Sequence, residues 1–312
     1  MFSIEAGDLT MHLEVVRVET LREHEETLPH VADTLALEFK DWARLQNPII
    51  VERNQIVLDG NHRTFVFKRL GFRTIPVCRI DYYSEHVGLR YWFRLLKGVG
   101  GLEGLAGIVE EMGGGLERVE DRGTLADRLG REPLLMGVEC REARAVLRLP
   151  ADRVCDGVDA YEALERIQER LVRQGAELEY VPCQDLAGDA PCRRPGENEV
   201  AIWTPHITKD MVVEAASCGK VFAPKATRHL VAARPINVNV PVRWFREDAP
   251  LEEMNERFAG FLRDKQIRRF GPGQVINGRY YGEEIFVFYD RRTTEPSRSR
   301  GGVEVCPSSS RS

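Results

Sequence analysis

The chain has 312 residues, of which 43% are hydrophobic and 30% charged, with a net charge of -5 and a pI near 5.9. That balance describes a globular protein able to bury a core, and its acidity argues against a surface given over to nucleic acid. No apolar run approaches the ~20 residues that span a bilayer, and the acidic start MFSIEAGDLTMHLEVV lacks the basic region and apolar stretch of a secretory signal. The expectation is a soluble, cytoplasmic protein without a membrane segment.

In chain order, residues 12–18 (HLEVVRV) alternate loosely and predict a strand. Between Leu28 and Leu45, the residues Val31, Leu35, Phe39 and Trp42 fall on one face of an amphipathic helix. The segment PIIVERNQIVLDG has two β-branched runs flanking Arg53-Asn54, a hairpin pattern. A helix follows in NHRTFVFKRLG, with Lys68 and Arg69 in its last turn and Gly71 beyond it. IPVCRIDYY predicts another strand. The order describes a compact α+β unit.

The aromatic run Leu89 to Leu96 (LRYWFRLL) predicts a helix, and glycine-rich residues 98–123 predict a linker or mobile loop. Residues 159–173 form an amphipathic helix ended by Gly175. Strands are expected at LEYVPC and EVAIWTP, a helix from Lys209 to Ser217, a helix over 251–264, and a strand at EEIFVFYD. The tail from Arg291 has the composition of disorder. The cysteines (Cys78, Cys140, Cys155, Cys183, Cys192, Cys218 and Cys306) are odd in number and contain no C-x-x-C pair, so reduced thiols are expected. His12, His30, His86 and His206 lie scattered, without metal-ligand spacing.

The strongest local signal is Asp59-Gly60-Asn61-His62-Arg63, between an apolar strand and a helix start. Gly60 permits a tight turn, the helix start offers free N–H groups to an anion, and His62 and Arg63 add donors. Asp59 has the chemistry to hold magnesium or orient a hydroxyl. Together these suit a polyphosphate. The alternative is that Asp59 only caps the helix and Arg63 is a solvated charge.

LDGNHRTFVFKRLG resembles the signature segment of ParB/sulfiredoxin-like proteins, and in particular the free serine kinases of that superfamily, whose motif is D-G-H-H-R. Three further blocks agree in the same order: LREHE (Leu21 to Glu25), Asp81 to Ser84 with Trp92, and GKVFAPKATRHL (Gly219 to Leu230). The likeness spans roughly residues 10–235. Two positions depart from the motif: Asn61 stands where histidine is usual, and Ala226 where a hydroxyl residue is common.

The resemblance implies an α+β fold, with a ParB/sulfiredoxin-like N-terminal domain and a second α/β domain completing the active-site cleft. The boundaries expected are 1–97 for the nucleotide-binding domain, 98–239 for the domain carrying PKATRH, 240–290 for an appended α+β region of unknown role, and 291–312 for a disordered tail. It implies phosphoryl transfer from ADP or ATP, with Mg2+, to free L-serine, feeding cysteine or a non-protein amino acid. Glu25 is the implied base and Asp59 the second catalytic residue and magnesium contact. Gly60, Asn61, His62 and Arg63 are implied to bind the nucleotide phosphates. Trp92, Thr227, Arg228 and His229 are implied to hold serine. Without the resemblance, Glu25 reads as a surface glutamate, Trp92 as core, and Arg228 with His229 as a structural pair. The alternative function is a ParB-like nucleotide-binding regulator without kinase activity, able to bind DNA. A helix-turn-helix and a G-E-R-R-type motif would mark it, and neither is found in the sequence. A sulfiredoxin-like reductase would need a cysteine at the phosphate motif.

Overall fold

The computed structural model describes residues 2–41, 44–182 and 194–291. The fold is α+β, with seven α-helices among the described residues and two main sheets. The first sheet orders its strands Phe2–Ala6, Leu9–Arg17, Thr74–Arg79, Ile49–Val51 and Val57–Asp59. In Leu9–Arg17, Leu9, Met11, Leu13 and Val15 are buried in strict alternation, as expected of a strand with one face on the core. The helices Pro29–Asp41 and Asn61–Arg69 cover this sheet, and Phe39 meets Phe67 edge-on at 4.9 Å. The first helix buries Ala32, Ala36 and Phe39, with Leu35 beside them. It stops before Arg44–Leu45, which pairs as a short strand with Val240–Pro241, and Trp42 lies outside the described residues.

The second sheet is antiparallel throughout, in the order Glu177–Pro182, Trp92–Lys97, Glu199–Trp203, Met136–Cys140, Arg144–Arg148, Gly115–Val119. Two expectations are corrected here. The run Leu89 to Leu96 is not a helix: it forms the strands Val87–Arg90 and Trp92–Lys97. The second of these is flanked on both sides, and Phe93, Arg94, Leu95 and Leu96 are all buried. A strand covered on both faces loses its alternation and reads as an apolar run. Residues 98–123 are not a loop: they hold the helix Gly101–Glu111, the strand Gly115–Val119 and the start of the helix Arg122–Arg131. Leu102, Leu105, Ile108 and Val109 face the core at helical spacing, and that burial outweighs the poor helix propensity of the glycines.

The helix Gly157–Arg173 packs on the same sheet, capped by the Asp156 side chain, which accepts from Asp159 N at 2.9 Å. The strands Glu177–Pro182, Glu199–Trp203 and Glu284–Asp290 and the helices Lys209–Ser217 and Leu251–Arg263 lie where the sequence places them. Beyond Phe2↔Leu13 the first strand has ended, and Asn255 of the helix Leu251–Arg263 takes its place: its amide accepts from Val15 N at 2.9 Å and donates to Val15 O at 2.8 Å. The region after residue 239 is thereby tied to the first sheet. Its own sheet sets Glu284–Asp290 between Ala233–Ile236 and Lys265–Phe270. No helix among the described residues is long and apolar enough to cross a membrane.

Candidate active site

The segment His24-Glu25-Glu26 (HEE) runs beside the block GKVFAPKATRHL that carries PKATRH. Phe222 N donates to His24 O at 2.8 Å, and Glu26 N donates to Phe222 O at 2.9 Å. This brings Glu25 to a turn of the second block. Its Oε1 accepts from Lys225 N at 2.9 Å, and its Oε2 accepts from Thr227 N at 3.0 Å and Thr227 Oγ1 at 2.9 Å. Lys225 reaches this geometry with φ of 61°, a left-handed conformation unusual for a side chain of its size. Arg94 holds the turn from below, donating to Trp92 O, Pro224 O and Lys225 O at 2.8, 3.2 and 3.1 Å. Ala226 is fully buried, and its carbonyl accepts from Tyr161 Oη at 2.9 Å.

Asp59 ends the strand Val57–Asp59, and Gly60 caps the helix Asn61–Arg69 with φ of 112°. A Cβ on Gly60 would lie 2.5 Å from Ile49 Cγ2, so only glycine lets the loop approach that strand. His62 Nε2 accepts from Leu28 N at 3.2 Å, and burial together with Lys225 lowers its pKa. Asn61 Oδ1 is buried with no hydrogen-bond partner in the structure. Arg63 donates to Asn47 O at 2.6 Å and stands 3.9 Å from Asp59. The nearest partner of Asp59 is Arg234, which donates to it at 2.8 Å.

Asp59 is the carboxylate of this loop that a magnesium ion carried on nucleotide phosphates would meet, since such an ion takes one or two carboxylates beside the phosphates, and it already faces the guanidiniums of Arg63 and Arg234.

Of the residues implied to hold serine, Trp92 donates its indole N–H to Thr227 O at 3.1 Å, and Lys225 Nζ lies 4.6 Å above its ring. Arg228 also lies over that ring, at 5.9 Å. His229 lies behind Asp59: its Nε2 bonds Tyr82 Oη at 2.8 Å, its ring also bonds the Leu58 carbonyl, and burial with His24 holds its pKa well below the ordinary value. Four residues were missed in the sequence. His24 adjoins Glu25, and the only cue to Arg94 is a cation inside an apolar run. Arg234 and Glu283 carry no local signal.

No family model matches the chain. Fold and site define an α+β protein whose phosphate-loop candidate lies near a half-buried glutamate, Glu25. In sequence the chain is 24% identical over 237 residues to the ATP-dependent L-serine kinase of Staphylothermus marinus, covering 73% of this chain and 89% of that one. It is 25% identical over 187 residues to the ADP-dependent L-serine kinase SerK of Thermococcus kodakarensis, covering 59% and 71%. A solved structure, a free serine kinase in complex with AMP, superposes with a TM-score of 0.58 at 19% identity, covering 75% of this chain and 93% of that one. These comparisons agree with the resemblance read from the motifs: the chain is similar in sequence to L-serine kinases and shares the fold of a solved free serine kinase.

Proposed function

We propose that the protein is a kinase that transfers a phosphoryl group from ADP or ATP to the hydroxyl of free L-serine in the cytoplasm. The product, O-phospho-L-serine, would serve the synthesis of cysteine or a non-protein amino acid. The observation that carries this reading is the seat of Glu25, fixed by Lys225 N, Thr227 N and Thr227 Oγ1 where the HEE and PKATRH segments meet. A carboxylate held this way is ready to accept the hydroxyl proton as the bond to phosphorus forms. The names of the relatives support the substrate, and the AMP-bound neighbour supports a nucleotide.

Phosphoryl transfer asks mainly for positioning and charge neutralisation. Gly60, Asn61 and His62 at the helix start, with Arg63 and Asp59 beside them, are assigned to the phosphates. Trp92, Thr227, Arg228 and His229 are assigned to serine, whose carboxylate suits a guanidinium. Magnesium, when present, supplies charge neutralisation on the nucleotide phosphates. The test incubates the protein and magnesium with L-serine and either ADP or ATP and looks for phosphoserine by mass spectrometry. Product that needs serine and drops at least about a hundredfold in Glu25→Gln supports the reading. Nucleotide binding without product from either donor sinks it in favour of a ParB-like regulator.

A further inference from the structure

The hydroxyl of Thr227 stands between two titratable groups. Its Oγ1 lies 2.9 Å from Glu25 Oε2 and 2.7 Å from His24 Nε2. Across the imidazole ring, Nδ1 is 2.6 Å from Val57 O. A carbonyl oxygen only accepts, so Nδ1 carries a proton. Two contacts remain, Nε2 to Oγ1 and Oγ1 to Oε2, and the hydroxyl brings one proton to them. With Glu25 ionised and His24 neutral, one of the two contacts is left without a hydrogen. Both are hydrogen bonds only when one more proton sits on Glu25 or on Nε2. The geometry is thus complementary to the state in which the base has already taken a proton.

His24 is fully buried. The titratable groups that face it are Glu25 on its own segment and His229 on the strand Arg228–Val231, whose ring meets it edge-on at 5.0 Å. Tyr82 stands behind His229. Burial holds the His24 pKa down against the opposing pull of Glu25 and Val57 O, which keeps the ring neutral before reaction.

We propose that His24 is a second proton-holding group of this site, sharing with Glu25, through the Thr227 hydroxyl, the proton that the substrate hydroxyl gives up. The proposal rests on the serine kinase reading. The substrate O–H bond breaks, its electron pair forms the new O–P bond, and the donor nucleotide leaves with the pair of the broken P–O bond. The proton arrives on Glu25. Glu25 O–H then donates to Thr227 Oγ1, Thr227 O–H to His24 Nε2, and Nδ1–H to Val57 O. After product release the proton returns through Glu25 to solvent.

The test compares Thr227→Val, Thr227→Ser, His24→Gln and the double variant His24→Gln/Thr227→Val. The valine keeps the backbone N–H that holds Glu25 and removes only the hydroxyl. Thr227→Val and His24→Gln are expected to lower kcat about tenfold each and the double variant no further than either, since groups acting as a unit are not additive, and the serine KM of His24→Gln is expected to move less than about twofold. Thr227→Ser should recover much of the kcat lost in Thr227→Val. Wild-type kcat in Thr227→Val, or losses that multiply in the double variant, would overturn the proposal.

A second measurement is independent of turnover: 15N NMR of the His24 ring in the protein without substrate. Glu25→Gln should shift the Nε2 resonance, and the shift should at least halve when Thr227→Val is also present. An equal shift in both backgrounds overturns the proposal. If the wild type makes no phosphoserine from either nucleotide, the kinase reading falls, and the NMR outcome still decides whether Glu25 and His24 share a proton.

Discussion

Arg234 donates to the carboxylate of Asp59 at 2.8 Å across 175 residues of sequence. Its guanidinium is 12% exposed, and on its other side it forms an ion pair with Glu283, just ahead of the strand Glu284–Asp290. The region after residue 239, which has no counterpart in the motifs, therefore reaches the phosphate-loop candidate through one shared arginine. Partial burial opposes ionisation of Asp59, and the guanidiniums of Arg234, Arg63 and Arg279 outweigh it, holding the carboxyl below its usual range.

Glu283→Gln leaves one edge of a nearly buried guanidinium without its counter-charge. A loss of about 1–3 kcal/mol in urea unfolding is expected, with a larger loss for Arg234→Gln, which strands two carboxylates. Equal stability of Glu283→Gln and wild type would show that the Arg234–Glu283 pair contributes nothing to the fold.

His24, His62 and His229 all have lowered pKa values, burial being the first cause in each. Where the folded pKa is depressed, the unfolded chain takes up its proton first as the pH falls. Their contribution to stability is therefore complete above about pH 6.5 and is lost below it. Each adds at most about 1.4 kcal/mol per pH unit to the slope. Urea midpoints at about pH 7.5 and 5.5 should fall on acidification, and less steeply in His229→Gln. A midpoint that rises on acidification would contradict neutral burial of these rings.

Gly60→Ala meets two obstacles, a φ of 112° and a Cβ 2.5 Å from Ile49 Cγ2. The loop must shift, at a cost of more than about 1 kcal/mol. Nucleotide affinity, measured by calorimetry with AMP, should weaken along with stability. Unchanged AMP binding in a folded Gly60→Ala would remove this loop from the phosphate site.

Asn255→Ala strips the partner from Val15 N and Val15 O at once. About 1–3 kcal/mol of destabilisation is expected for the unsatisfied backbone groups. Hydrogen exchange should report it locally, as faster exchange at Val15 than at Leu13, whose backbone keeps its neighbouring strands. Unaltered exchange at Val15 would mean that water replaces the amide without penalty.

Much of the fold was legible because local patterns and tertiary burial agree. The alternation in Leu9–Arg17 and the apolar stripe of Gly157–Arg173 each name the face that is buried. The reading failed where burial on both sides erased the period, at Trp92–Lys97, and where glycine suggested a loop but leucine spacing made a helix, at Gly101–Glu111. Within the candidate site, Glu25 and Asp59-Gly60-Asn61-His62-Arg63 were visible as motifs. His24 was hidden by its neighbour, and Arg234 by the absence of any local cue.

The sequence by itself singled out the short segments proposed to carry chemistry, because residue type and helix or strand period are local properties. It also determined the α+β class and the two departures, Asn61 and Ala226. Only the tertiary structure decided that Glu25 is bonded by Thr227 and Lys225, that Arg234 is shared by Asp59 and Glu283, and that one hydroxyl faces both Glu25 and His24. Those pairings join residues far apart along the chain. Their geometry is set by how the sheets and the appended helix bury against one another, and no local pattern records that.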